Sequence, residues 1–139
     1  MSIYMIGLWL LVTSLTLVHN SVWAEWIALA DQYQSHPLQT VYIDRESLRQ
    51  EGTLVSLAAL VEWKEMQGGR TPTRFYSTKL TKQFDCVEKR VRTLAATDYY
   101  GHMGTGEVIG GGPHASANQW GIIEPGTINQ GLWGAACEK

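Results

Sequence analysis

The chain has 139 residues, 45% of them hydrophobic and 17% charged, with a formal net charge of −2 and two cysteines. That length supports one domain with a small core. The near-neutral charge excludes the dense basic surface that sequence-blind nucleic-acid binding requires.

The first 24 residues stand apart. An uncharged apolar run of about 16 residues, from Ile3 to Val18, is shorter than the roughly 20 needed to span a bilayer as a helix. It gives way to the polar His19-Asn20-Ser21 and then Val22-Trp23-Ala24. This pattern reads as a secretory signal peptide over residues 1–24, cut after Ala24, followed by a single domain over 25–139 with no membrane span. No Lys or Arg precedes the apolar run, which leaves an uncleaved anchor as the alternative. No Cys lies near the cut, so lipid attachment of the bacterial lipoprotein kind is closed.

Residue 25 onward opens with a short apolar run, Trp26 to Ala30, ended by Asp31. After a polar stretch with His36-Pro37 as a turn signal, Thr40-Val41-Tyr42-Ile43 reads as a second strand completing a hairpin. Asp44 to Arg49 reads as a single helical turn capped by Asp44 and ended at Gly52. Val55, Leu57, Ala59, Val61 and Trp63 then form an unbroken apolar face at period two, the signature of a central strand. A loop covers Gly68 to Pro72.

Arg74 to Arg92 is too long for one strand and reads as a hairpin with Cys86 near its tip. Tyr76, Leu80, Phe84 and Cys86 face inward, while Lys79, Thr81, Gln83 and Asp85 face outward. A short edge strand over Glu107-Val108-Ile109 lies between two flexible glycine loops. Ile128, Leu132, Ala135 and Ala136 repeat at helical spacing behind Thr127 as N-cap, although Gly131 and Gly134 weaken that helix.

Cys86 and Cys137 both follow the leader. In an oxidising compartment the simplest outcome is one disulfide, closing a loop of about 50 residues and contributing roughly 4 kcal/mol; two separate buried thiols are the alternative. His36, His102 and His114 lack metal-ligand spacing, so no metal site and no cofactor is expected. The glycines around His102 lack the Gly-Lys-Ser/Thr ending of a phosphate loop. No serine lies in a nucleophile-elbow context, and Glu62 and Glu65 fall on opposite strand faces. These readings argue against an enzyme.

The basic residues Lys79, Lys82, Lys89, Arg90 and Arg92 concentrate on one hairpin, with Arg90 and Arg92 on the same strand face. Such a ridge contacts sulfated glycans or acidic protein segments, although charged residues also keep sheets soluble and protect their edges. Of the six tryptophans, Trp26, Trp63, Trp120 and Trp133 follow the leader. An exposed one is a natural interface anchor. The candidate partner-binding set is therefore Lys89, Arg90, Arg92, Trp63 and Trp120.

The ordered set of Trp26, Val41-Tyr42-Ile43-Asp44, Ser47-Leu48, the long strand ending at Trp63, Phe84-Asp85-Cys86 and Lys89-Arg90-Val91-Arg92 resembles the surface-adhesin protein E family of Gram-negative bacteria. Tyr99-Tyr100, Trp120, Pro125-Gly126-Thr127 and Cys137 follow in that family's order. The resemblance covers essentially all of residues 25–139. It implies an α+β, mainly β fold: a single antiparallel sheet of five or six strands, a C-terminal helix packed across it, and a disulfide mapping onto Cys86 and Cys137. It also implies an exported, non-enzymatic binding module, in the periplasm or on the outer cell surface, that binds host matrix or plasma proteins. The namesake is held on the outer membrane, whereas this chain has no lipidation Cys, and no host-binding segment of the family matches it residue by residue. The alternative reading is a periplasmic or envelope accessory protein recognising a bacterial partner. In either reading the partner is a protein or a sulfated glycan, and exposed sheet edges allow a homodimer.

Overall fold

A computed structural model describes residues 25–69 and 73–138. The expected signal peptide, and residues 70–72 of the expected loop, lie outside the described residues. The described residues form a seven-stranded antiparallel sheet: β1 (Ile27–Ala28), β2 (Gln39–Glu51), β3 (Leu54–Gln67), β4 (Phe75–Asp85), β5 (Arg90–Tyr99), β6 (Val108–Pro113) and β7 (Gly121–Ile122), followed by the helix α1 (Ile128–Cys137). The first six strands pair in chain order, and β7 pairs with the lower half of β5. The mainly β, single-sheet architecture with one C-terminal helix matches the sequence expectation. The strand count is higher because of β7, which at two residues is too short to show any periodicity.

The core lies between α1 and one sheet face. Val41, Ile43, Leu57, Ala59, Phe84 and Val91 project from that face and pack with Leu132 of the helix. Thr127 caps α1 by accepting from the Gln130 backbone N–H. Gly131, which weakens the helix as a sequence signal, has a packing reason: a Cβ there would sit 2.7 Å from the Tyr33 ring. The disulfide joins Cys86, in the β4–β5 turn, to Cys137 at the end of α1, with Cα atoms 5.5 Å apart.

Two expectations are corrected. Asp44 to Arg49 is not a helical turn: β2 runs straight through it, with a register shift between Asp44 and Arg49. The local turn chemistry is real. Asp44 accepts from the Glu46 N–H, and Ser47 donates its hydroxyl to the Asp44 carbonyl. Ser47 also accepts from the Ala58 N–H of β3 at 2.8 Å, so these bonds form a bulge that keeps the ladder satisfied rather than ending the strand.

The second correction concerns the glycines after Ile109, which are strand and not loop. Gly110, Gly111 and Gly112 pair with Asp98, Thr97 and Ala96. At Gly111 a Cβ would meet the Ala96 carbonyl oxygen at 2.6 Å, so this strand comes too close to β5 for a side chain there.

The segment from Gly101 to Gly106, the other expected flexible loop, is tied down on the sheet face opposite the helix. The Ser77 hydroxyl donates to the Gly101 carbonyl and accepts from the Gly104 N–H at 2.9 Å. Glu62 pairs with the His102 ring and accepts from the Met103 N–H. The Tyr76 ring lies 4.1 Å from that of His102. Leu60, which faces away from the helix, is buried beneath this cover, within contact distance of Gly104.

Candidate functional site

Along β5, Val91 enters the core with Phe84 and Leu132. Arg90 and Arg92, one position either side, therefore leave the sheet on the face away from α1. Trp120, the residue before β7, lies on the same side. The Arg90 guanidinium stands 4.7 Å and that of Arg92 4.3 Å from the Trp120 ring centroid. Each such contact contributes about 0.5–1 kcal/mol at an exposed site. Their larger effect is to hold two charged planes in fixed positions on neighbouring same-face residues, about 7 Å apart along the strand.

Neighbours across the ladder fix the same two side chains. Arg92 Nε donates to Gln83 Oε1 at 2.8 Å, and the two residues are directly paired. Arg90 donates to Asp85 through Nε and forms an ion pair with it through Nη2, each at 3.1 Å. Asp85 in turn accepts from the backbone N–H groups of Val87 and Glu88. The Glu88 N–H, aided by Arg90 and the Val87 N–H, holds the Asp85 carboxyl below the ordinary carboxylate range against the opposing effect of burial. One buried aspartate thus shapes the β4–β5 turn and anchors one arginine. Arg92 has no carboxylate partner among the described residues, so its charge is available.

Ile122 sits directly across from Arg90 and is 85% exposed. The patch therefore combines two guanidiniums, an indole and an exposed aliphatic side chain. Lys89 extends from the turn over the Trp133 ring at 5.3 Å, joining the patch to the helix end of the molecule.

The structure brings together Arg90, Arg92 and Trp120, and it separates Trp63 from them. Trp63 lies at the far end of β3, opposite Gln39, with its ring 5.8 Å from that of His36. It shares the parity of Ala59 and Val61, so it belongs to the helix face. Lys82 also leaves the basic ridge. It alternates with Leu80 and Phe84 and turns inward, where burial pushes its ammonium below the usual lysine range. Sequence reasoning missed Asp85 as the organiser and Ile122 as a member. An Asp at the last strand position before a four-residue turn carried the first signal; a two-residue strand carried none for the second.

Among the described residues no group of three or more His, Cys, Asp or Glu side chains is placed to hold a metal ion. His114 bonds to Ser116, away from the Glu62–His102 pair. No helix of the described residues is long and apolar enough to cross a membrane.

These features define a small single-sheet domain, backed by a disulfide-stapled helix on one face and carrying an ordered cation–aromatic patch on the other. The surface-adhesin protein E family profile matches residues 26–138, and the chain belongs to that family. Solved structures of Haemophilus influenzae protein E share the fold. Crystal form II is 15% identical, covers 80% of this chain and 95% of its own, and superimposes with a TM-score of 0.57. The protein from non-typeable Haemophilus influenzae is 16% identical, covers 82% of this chain and 76% of its own, and gives 0.58. No curated protein matches the chain in sequence.

Proposed function

We propose that this chain is an exported, non-enzymatic adhesin domain that acts at the surface of a Gram-negative cell. It docks carboxylate- or sulfate-bearing segments of host matrix or plasma proteins on the Arg90–Arg92–Trp120 patch. The observation that carries this reading is the pair of guanidiniums laid over one indole, with Arg92 lacking a carboxylate partner among the described residues. Their orientation is set before a partner arrives, so little side-chain entropy remains to be lost on docking. Ile122 and Trp120 supply the apolar contact that such interfaces place beside their charged anchors.

The test has two arms. In biolayer interferometry against immobilised matrix and plasma proteins, Arg90→Ala/Arg92→Ala lowers affinity about tenfold or more, and soluble heparin competes with the wild type. External protease removes the protein from intact producing cells. Unchanged binding by the double variant refutes the patch. Protection from protease until the outer membrane is opened refutes surface display.

A further inference from the structure

The helix face holds a second feature, whose apolar part shares no residue with the Arg90–Arg92 patch. Between the first turn of α1 and strands β2 to β4 lies an open cleft of about 410 Å³. Val41, Ala59, Val61 and Leu80 form its floor, and Ile128 and Leu132 line it from the helix. Lys82 stands on its border. Beyond Lys82 is a smaller, more polar cleft of about 300 Å³, to which Thr93, Ser116, Gln119 and Asn129 contribute and whose outer rim is formed by Arg92, Trp120 and Ile122. Lys82 and Asn129 line both.

Lys82 is the anomaly. Its side chain is partly buried, yet neither cleft has an Asp or Glu in its lining, and no ion pair or hydrogen bond to its ammonium occurs among the described residues. A buried ammonium without a counter-charge is costly, and chains of this size ordinarily leave lysine on the surface. Here it sits where an apolar cavity meets a polar cleft of hydroxyls and amides edged by Arg92. That is the arrangement of a small-ligand site: a mainly apolar volume in the ~300–1,000 Å³ range with a few convergent polar groups.

We propose that this cleft binds a small amphipathic carboxylate, with its apolar body between Leu80 and Leu132 and its carboxylate on Lys82. The charge of the occupant follows from the site. Lys82 is the only ionised side chain lining the apolar cleft, so an anion gains a partner there, a cation meets repulsion, and a neutral chain leaves the ammonium as it was. The size of the cleft sets the body at roughly that of a medium-length alkyl chain or a substituted ring. Thr93, Ser116, Gln119 and Asn129 are donors within the adjoining cleft and are placed to satisfy the second carboxylate oxygen, directly or through water.

Decanoate and decanol are the probes, titrated calorimetrically below their aggregation limits into the oxidised full chain. One decanoate binds per chain, about tenfold or more tightly than decanol, because only the carboxylate forms a charge-assisted bond with Lys82. Lys82→Met, which keeps length and removes charge, abolishes that preference while decanol affinity holds; Lys82→Arg retains the preference. The wild type alone can overturn the proposal, by showing no saturable decanoate binding or equal affinity for the two probes. An undiminished preference in Lys82→Met overturns it too. Arg92, Trp120 and Ile122 of the patch also line the adjoining cleft, so Arg90→Ala/Arg92→Ala is titrated alongside. The decanoate preference survives in it, and its loss there would move the carboxylate from Lys82 to Arg92 and overturn the proposal.

Discussion

Removing the disulfide is the perturbation whose magnitude the structure fixes best. Cys86 and Cys137 are 51 residues apart in sequence. In the chain-entropy account, closing such a loop removes about 14 cal/mol/K from the denatured ensemble, or about 4 kcal/mol at 25 °C. For a domain of this size, with an unfolding entropy near 2.1 cal/mol/K per residue, that corresponds to a Tm lower by about 15 °C. The native side should change little, since α1 remains held by Leu132 in the core and by Gly131 against Tyr33. The assay is urea unfolding of the oxidised chain and of Cys86→Ala/Cys137→Ala, followed by far-ultraviolet circular dichroism and by tryptophan fluorescence. Both probes should give one coincident transition, and the variant should show a larger m value because its denatured chain is more expanded. A loss below about 1 kcal/mol would refute the loop-entropy reasoning. A fluorescence change at low urea with the sheet intact would show that the helix peels away alone.

Three further outcomes follow from individual contacts. Gly131→Ala should lower stability, because a methyl group forced against the Tyr33 ring costs about 1–3 kcal/mol, more than the ~1 kcal/mol gained in helix propensity; a raised Tm would mean that this contact is not as tight as described. Asp85→Asn should flatten the acid limb of the stability profile. The depressed Asp85 carboxyl contributes stability that is fully present above its ordinary value of 3.8 and is lost as pH falls below that value toward the folded one; parallel wild-type and variant profiles below about pH 4 would contradict it. Glu62→Gln weakens the tie to His102 and the Met103 N–H, so amide exchange at Met103 and Gly104 should accelerate while core amides stay protected; equal acceleration throughout would make Glu62 a global rather than a local tie.

What the sequence made legible was whatever repeats locally. Period-two alternation located β3 and the β4–β5 hairpin, and helical spacing behind Thr127 located α1. The same alternation put Arg90 and Arg92 on one face and, applied to β4, puts Lys82 with Leu80 and Phe84. What stayed hidden was set by distant segments. Nothing around Leu60 announces that residues 101–106 fold over it, and nothing near Asp44 shows that Ser47 will bond to Ala58 across the sheet. Gly110 to Gly112 read as loop because glycine usually breaks strands. The close approach to Ala96 and Thr97 that demands glycine at 111 is visible only once β5 is in place. Trp63 and Trp120 look alike in sequence, and only topology sends them to opposite faces.

The sheet explains how so small a domain presents two chemically different surfaces. A single sheet has two faces, and one ten-residue helix cannot cover even one of them fully. On the helix face, cover by α1 stops short at its first turn and leaves the apolar cleft beside Lys82. On the other face, the segment held by Glu62 and Ser77 covers Leu60 but ends before the lower half of β5, where Arg90 and Arg92 emerge. Charge follows the same division. Outward arginines keep their hydration at the edges and are ordered by Trp120, whereas the inward Lys82 loses hydration and gains no charged partner among the described residues. Because β4 and β5 carry both sets on alternate residues, substitutions at Arg90 and Lys82, which line no common cleft, change opposite faces of one rigid ladder. Their effects on binding should be additive, with coupling no larger than about 0.5 kcal/mol in a double-mutant cycle; a larger coupling would mean that the two faces report on one site.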